Sequence, residues 1–380
     1  MIIQLPHEIE DLIIDTVGLG TGDYAAKDRL RQLKNDLRTL SSRFAAAAMP
    51  GSELSDAYFA YNFALNFMKS FYIGTKLIAQ RGAALKNAAK FSILDLGCGE
   101  GAGMYGLFYA FSADKTGRQI CLTGIDASVS MIGRSAVLGR ALSMDRKGCS
   151  VEHRKMGIGS DIFKTLGETG KRYDIILFSN SLIEIIKTGM LSYAFIDDAF
   201  SCMTSRGSLI VIEPALKDCA HRLMGLRNII ARDSKYEIIM PCGHSSECPL
   251  MAVEEREDWC HFSIPWSPPE YLVRLNQGLN REVDMLKFSY LVLSKPIHQS
   301  TMPRGHVVIS RLIHEKGKRK LFLCTPSGRV EVYRLDKDKS RSNQAFDIIK
   351  SGDTIVFKNH VEKRPDLWRI ERETKIERQN

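Results

Sequence analysis

From residue 1 to about 85 apolar residues recur at helical spacing. Leu30, Leu33, Leu37 and Leu40 fall three and four apart with Arg29, Arg31, Lys34 and Arg38 between them, which predicts a helix with one buried stripe. Tyr58, Tyr61, Leu65, Met68 and Tyr72 predict a second helix, entered through Ser52 or Ser55 as N-cap. Aromatic residues at that spacing mark a packed face sooner than a binding surface. From Phe91 the period changes, and short apolar runs alternate with helical stretches, as in a parallel sheet covered on both faces.

The predicted strands are Ser92–Leu96, Leu122–Asp126, Val151–Met156, Tyr173–Phe178, Ser208–Glu213, Tyr236–Met240 and Phe288–Leu293. Seven strands with helices between them make an α/β, doubly wound domain over residues 89–295, preceded by a helical region over 1–88. An irregular, cysteine-rich stretch, 241–286, interrupts the domain before its last strand. After residue 296 the strand candidates crowd together: His306–Leu312, Lys320–Cys324, Arg329–Leu335 and Thr354–Phe357, with Ser327-Gly328 as a hairpin turn. Residues 296–380 therefore read as a small β-rich module, with Glu371–Asn380 as a frayed, mixed-charge terminus.

Charge separates these regions. The 380-residue chain carries a net +9, yet residues 281–380 hold 22 Lys+Arg against 13 Asp+Glu while residues 1–280 hold 31 of each. An excess confined to one module points to a polyanion partner, nucleic acid before membrane. Arg304, Arg311, Lys316, Lys318, Arg319 and Lys320 concentrate it around one loop, with Arg329 and Arg334 nearby. Such a patch gives salt-sensitive affinity with little sequence preference, and no base-stacking motif accompanies it. The bland alternative is a solvated basic turn. Acids at the N-terminus, an odd count of nine cysteines and the lack of a long apolar run argue against secretion and against a membrane span. The expected compartment is reducing: cytoplasmic, or the mitochondrial matrix if a presequence has been removed.

The first strand of the domain runs into Asp95-Leu96-Gly97-Cys98-Gly99-Glu100-Gly101-Ala102-Gly103, with a helix after it and a second strand that ends in Asp126. Gly97, Gly99 and Gly101 let the chain turn sharply and let a ligand approach the backbone, while an acid at Asp126 suits ribose hydroxyls. This acid-x-Gly-x-Gly-x-Gly spacing resembles the first motif of class I S-adenosylmethionine-dependent methyltransferases. The resemblance implies that Asp95, Gly97, Gly99 and Gly101 border the amino-acid part of the cofactor, that Asp126 holds the ribose, and that Asp161 faces the adenine. The other reading of Asp161 is a helix N-cap. After the fourth strand, amino-methylating members carry Asp/Asn-Pro-Pro-Tyr/Phe, whereas this chain has Ser179-Asn180-Ser181-Leu182. Asn180 is the one catalytic candidate there; no cysteine nucleophile stands at 179–184. Cys219 reads as a small buried hydrophobe.

Cys242, Cys248 and Cys260 are separated by five and eleven residues, wider than the knuckles of structural zinc sites. An iron-sulfur cluster takes four thiolates at varied spacing, and Cys324 is the only cysteine after 260. His244 and His261 are alternative ligands or supports for them. Cys-x-His-x3-Cys-Pro-Leu, then Asp-Trp-Cys-His-Phe, Lys287–Ser294 and Leu-Cys-Thr-Pro-x-Gly resemble the methyltransferase-like proteins of the small ribosomal subunit, a family that includes the mitochondrial small-subunit assembly factor and its bacterial relatives. The resemblance covers most of the chain, with Gly243 standing where a proline is common. It implies a 4Fe-4S cluster on Cys242, Cys248, Cys260 and Cys324, and association with the maturing small subunit and its rRNA. Cys324 would then clamp the basic module to the insertion.

Three functions stay open. One is an S-adenosylmethionine-binding assembly or translation factor of the small ribosomal subunit with a structural cluster. The second is an active rRNA methyltransferase using Asn180. The third is a small-molecule methyltransferase with a structural zinc, which the basic module disfavours.

Overall fold

The computed structural model describes residues 3–20, 24–45, 54–86, 89–113, 118–144, 148–182, 185, 193–233, 235–251, 259–279, 281–296 and 305–379. Strand β1 (Ile3–Gln4) and helices α1 (His7–Val17), α2 (Tyr24–Ala45) and α3 (Ser55–Lys86) come first. The α/β stretch follows as β2 (Lys90–Leu96), α4 (Ala102–Ser112), β3 (Gln119–Asp126), α5 (Val129–Met144), β4 (Cys149–Lys155), α6 (Ile162–Glu168), β5 (Tyr173–Ser179) and α7 (Tyr193–Ser201). Next come β6 (Met203–Pro214), α8 (Lys217–Asp233), β7 (Glu237–Met240), β8 (Phe262–Ser267), α9 (Glu270–Asn276) and β9 (Met285–Ser294). The chain ends in β10 (His306–Val308), β11 (Ile313–Glu315), β12 (Lys318–Thr325), β13 (Gly328–Leu335), β14 (Thr354–Lys358), β15 (Val361–Arg364), β16 (Leu367–Ile370) and β17 (Lys375–Gln379). Each segment from 92 to 293 that the apolar runs predicted as a strand is one.

Two compact units divide the chain. The first comprises residues 1–76, 97–157 and 265–286. In it Leu33, Leu37 and Leu40 of the predicted stripe on α2 are buried, while Leu30 is half-buried. Helix α3 buries a face adjacent to the predicted one: Phe59, Phe63 and Phe67 are at most 3% exposed, with ring centroids 4.9 and 6.3 Å apart along the helix. Tyr58, Leu65 and Tyr72 are only half-buried; for the two tyrosines the phenol keeps its polar tip wet, which Phe has no need to do. Strands β3 and β4 pair in parallel from Ile120↔Cys149 to Asp126↔Lys155. The two residues of β1 pair in parallel with β8, Ile3↔Trp266 and Gln4↔Ser267.

The second unit comprises residues 77–96, 158–264 and 287–380. Here β2 and β5 pair in parallel, as do β5 and β6, and β9 runs antiparallel to both β6 and β7. The shared order β2-β5-β6-β9-β7 buries both faces, so these strands read as continuous apolar runs. The same unit contains a second sheet in the order β15-β16-β13-β12-β10-β14-β17, with β11 on β12. Its core is Val308, Leu321, Leu323, Val330, Val332, Phe346, Ile355 and Trp368. The strands predicted after residue 296 thus lie in one sheet, with two revisions. The run His306–Leu312 divides into β10 and a break before β11. The terminus is no frayed tail: Lys375–Gln379 pairs with β14 from Lys358↔Lys375 to Thr354↔Gln379. Among the described residues no helix is long and apolar enough to cross a membrane.

Candidate functional site

The glycine loop is a backbone construction. Gly97, Gly99 and Gly101 have φ of 73°, 51° and 88°, a region that side chains with a Cβ seldom adopt. A Cβ on Gly101 would also lie 2.4 Å from Ser135 Oγ and from Tyr105 Cε2. The N–H groups of Gly97 and Cys98 donate to Ile125 O at 2.9 and 3.0 Å, and Gly101 N–H donates to Cys98 O at 2.8 Å. Asp126, at the end of β3, accepts from Gly99 N on Oδ2 and from Ser128 N on Oδ1, both at 2.8 Å. Each carboxylate oxygen keeps a second lone pair for a hydroxyl, so the acid both closes the loop and remains an acceptor. Gly101 is the N-cap of α4, whose first-turn amides add a positive end to the same loop.

Arg134 of α5 ties this loop to the helical region. Its Nη1 donates to Glu100 Oε1 at 2.9 Å and to Ser55 O at 3.1 Å, and its Nη2 donates to Asp56 Oδ1 at 2.5 Å. Burial pushes the Glu100 carboxyl up to about 7 against the pull of Arg134. The sequence pattern did not single out this pair. Its signal was an acid inside the Gly-rich turn, where Glu100 is 7% exposed and therefore needs a partner.

The other cofactor candidates belong to the second unit. Asp95 is fully buried within β2, paired in register with Leu177. Asp161 is exposed, the N-cap residue of α6 without a side-chain capping bond. Asn180 follows β5 with φ 59°, a conformation Asn tolerates better than other side chains. Its N–H donates to Ile212 O at 2.8 Å. Ser181 Oγ donates to Leu96 O at 2.6 Å, and Leu182 N–H to the buried Glu213 at 3.0 Å. The segment after β5 is thereby pinned at the carboxyl ends of β2 and β6, the end of an open α/β sheet where ligands sit. Glu213 was legible only as an acid closing an otherwise apolar run.

The four cysteines belong to the second unit and lie near enough to influence one another electrostatically. Burial first, then one another's proximity, pushes the thiols of Cys248 and Cys260 up and that of Cys324 up to about 12, with Arg227 opposing. Helix α8 supplies the scaffold. Asn228 Oδ1 accepts from Cys248 N at 2.6 Å, Met224 Sδ accepts from Cys260 N at 3.4 Å, and Arg227, 3% exposed, donates to His244 O at 3.0 Å. Ser289 Oγ holds Cys260 O at 2.7 Å. His244 Nε2 lies 3.9 Å from Cys324 Sγ, its pKa lowered to about 4 by burial and by Arg227, so the ring is neutral at pH 7. His261 Nδ1 instead lies 3.1 Å from Trp259 O. Gly243 packs so closely on Gly305 O that a Cβ would come within 2.0 Å of it. The thiols are within electrostatic reach of one another, yet among the described residues no group of three or more His, Cys, Asp or Glu stands at metal-binding geometry. Arg227 and Asn228, a polar pair inside an apolar helical stretch, are the supports that the sequence pattern passed over.

Of the basic patch, Arg304 lies outside the described residues. Arg311 and Lys316 are exposed. Lys318 and Lys320 both bridge Glu315, at 3.0 and 2.8 Å, and Arg319 bridges Asp347 at 2.7 Å. Arg334 is no surface cation: it is 1% exposed and is held by Asn343 and Asp347.

Comparison with known proteins adds a family. A family model described as mitochondrial small ribosomal subunit Rsm22 matches residues 53–355. A search of curated proteins gave no match. Among solved structures, the magnesium protoporphyrin IX methyltransferase of Synechocystis PCC 6803 with bound S-adenosylmethionine is 14% identical, covering 60% of this chain and 84% of its own, with a TM-score of 0.32. The plantazolicin methyltransferase BpumL with S-adenosylhomocysteine is 13% identical, covering 71% of this chain and 99% of its own, with a TM-score of 0.37. A ribosomal protein L11 methylase from Lactobacillus delbrueckii subsp. bulgaricus is 12% identical, covering 59% of this chain and 79% of its own, with a TM-score of 0.29.

Proposed function

Since the chain belongs to the mitochondrial small ribosomal subunit Rsm22 family, we propose that it binds S-adenosylmethionine, carries an iron-sulfur cluster and serves the assembly or translation of the small ribosomal subunit in contact with its rRNA. The observation that carries the cofactor part is the loop whose positive-φ glycines and Asp126 are already locked together. On this reading Asp95, Gly97, Gly99 and Gly101 are assigned to the amino-acid end of the cofactor and Asp126 to the ribose. Asp161 is assigned to the adenine side, where its exposed carboxylate is unencumbered by a capping bond. When bound, the cofactor supplies an electrophilic methyl group. The residues of this chain bind and orient it, and Asn180 is assigned to orient an acceptor.

Cys242, Cys248, Cys260 and Cys324 are assigned to the 4Fe-4S cluster. The donor chemistry fits: four thiols gather in one unit, three of them raised by burial and by one another, a cost that bound iron would remove. The basic module, 296–380, is assigned to rRNA and the mitochondrial matrix to the whole protein. Anaerobic purification with iron, sulfide and zinc assays tests the metal. Zinc in place of iron, or no metal at all, would sink the cluster. Calorimetric titration with S-adenosylhomocysteine tests the loop. A labelled methyl group transferred to immature small-subunit RNA would replace the assembly-factor reading by the active rRNA methyltransferase, for which Asn180 at the sheet's carboxyl end is the supporting observation.

A further inference from the structure

The first unit contains a chain of alternating charges that leads from the N-terminal helices to the cofactor loop. Arg29 of α2 donates through Nε to Val17 O, the last residue of α1, at 2.9 Å, and through Nη2 to Asp56. Asp56 lies in the first turn of α3, where an acid is favoured by the helix dipole, and its second oxygen takes Arg134. Arg134 then reaches Glu100, and its guanidinium carbon sits 5.0 Å from the ring centroid of Phe59, the start of the buried face of α3. Ser55 contributes its carbonyl and hydroxyl to the same guanidinium, at 3.1 and 3.4 Å. One planar fork thus holds the glycine loop and the entrance to α3 together, a task for which Lys lacks the donors.

We propose that Arg134 is a positioning residue that couples the two: S-adenosylmethionine binding at the loop and seating of the N-terminal helices stabilise each other through it. The inference rests on the cofactor reading above. Its physical basis is that Glu100 is buried inside the five-residue turn whose amides hold Asp126 and Ile125 O. Removing the guanidinium leaves that carboxyl unpaired, so the side chain must neutralise or leave, and the turn moves with it. Ordering the turn with a ligand must, reciprocally, favour the seated position of α3, because a coupling free energy acts equally in both directions. The helical region then becomes the part of the protein that reports cofactor occupancy to whatever it touches.

The experiment combines S-adenosylhomocysteine titration with amide hydrogen exchange over the first turns of α3, on full-length wild type, Arg134→Ala, Arg134→Lys and the double variant Arg134→Ala with Glu100→Gln. In wild type the ligand slows exchange at the start of α3. Arg134→Ala weakens binding about tenfold, within the roughly 5- to 150-fold span of inter-site couplings, and abolishes the ligand-dependent protection. Arg134→Lys, which keeps the charge and guards against a misfolded alanine variant, retains part of both. In the double variant affinity partly recovers because no buried charge is stranded, while the protection at α3 stays lost. Ligand-dependent protection that persists undiminished in Arg134→Ala and Arg134→Lys overturns the coupling and leaves the cofactor reading standing. A wild type that ignores S-adenosylhomocysteine overturns both.

Discussion

The glycine loop and the cysteine centre are built on opposite plans. The loop is made by backbone within a few residues of one turn: positive-φ glycines, an N-cap and a carboxylate that accepts two amides. The proposed cysteine centre draws on positions 242, 248, 260 and 324; burial and the neighbouring thiols raise Cys248, Cys260 and Cys324, yet no metal-binding geometry is found among the described residues. A backbone cradle is preorganised because its hydrogen bonds form with the fold. A set of buried thiols is repelled by its own charge whenever it ionises, and converges only around a cation. Two sites of one protein can therefore be broken independently, and the largest effects come from doing so.

Cys324→Ser is expected to remove essentially all iron and sulfide, since an oxygen ligand from a separate module is a poor substitute for the fourth thiolate. Cys149→Ser, at a position outside the centre, is expected to keep them. Binding of S-adenosylhomocysteine should survive both changes. The same Cys324→Ser protein should lose affinity for rRNA if the cluster clamps the basic module; unchanged iron and unchanged RNA binding together would end the clamp hypothesis.

Gly101→Ala is the converse. It forces a Cβ into a positive-φ position and against Ser135 and Tyr105, so a loss of about 1–3 kcal/mol in loop integrity is expected. Titration should show affinity for S-adenosylhomocysteine down by tenfold or more, with iron content as in wild type. Equal loss of iron would mean that the two sites are not separable and that the comparison above is wrong.

The same contrast explains what could be read from the chain. Gly97, Gly99, Gly101 and Asp126 were legible because a strand-loop-helix-strand pattern is local. The grouping of Cys242, Cys248, Cys260 and Cys324 came from resemblance, since no periodicity relates position 260 to position 324. Arg227, Asn228 and Arg134 escaped notice because a polar residue in a helix looks solvated until its neighbours are known. Strand β8 was hidden by Pro265, which interrupts the alternation of Phe262, Ile264 and Trp266 although all three are buried. Strand β17 was hidden by its charges, which suit an edge strand and mimic a loose tail. Charge counting alone does not show that Lys318 and Lys320 share Glu315 and that Arg319 bridges Asp347.

A smaller effect sharpens the loop side of the comparison. Glu100 titrates near 7 in the folded protein, above its ordinary value of 4.5. The folded state therefore holds a proton that the unfolded state releases between those values, and this contribution to stability is lost as pH rises through the window. Glu100→Gln should flatten that decline, raising stability at pH 8 relative to pH 5 by roughly 1–3 kcal/mol against wild type. Thermal melts at the two pH values measure it; a constant difference between the proteins would show that Glu100 does not carry the titration.

The smallest expected change lies in the module that carries Cys324. Among the described patch residues Arg311 and Lys316 are the exposed pair, whereas Lys318, Arg319 and Lys320 are held in ion pairs. Replacing either by Ala should weaken rRNA binding without altering sequence preference and should reduce the slope of log affinity against log salt by somewhat less than one, the counterion share of one phosphate. Lys318→Ala, by contrast, removes a cation already held by Glu315 and leaves that carboxylate to Lys320, so a smaller change in slope is expected. If Lys318→Ala and Lys316→Ala change the slope by the same amount, the ion pairs open on the RNA and the whole patch, bridged or not, is the binding surface.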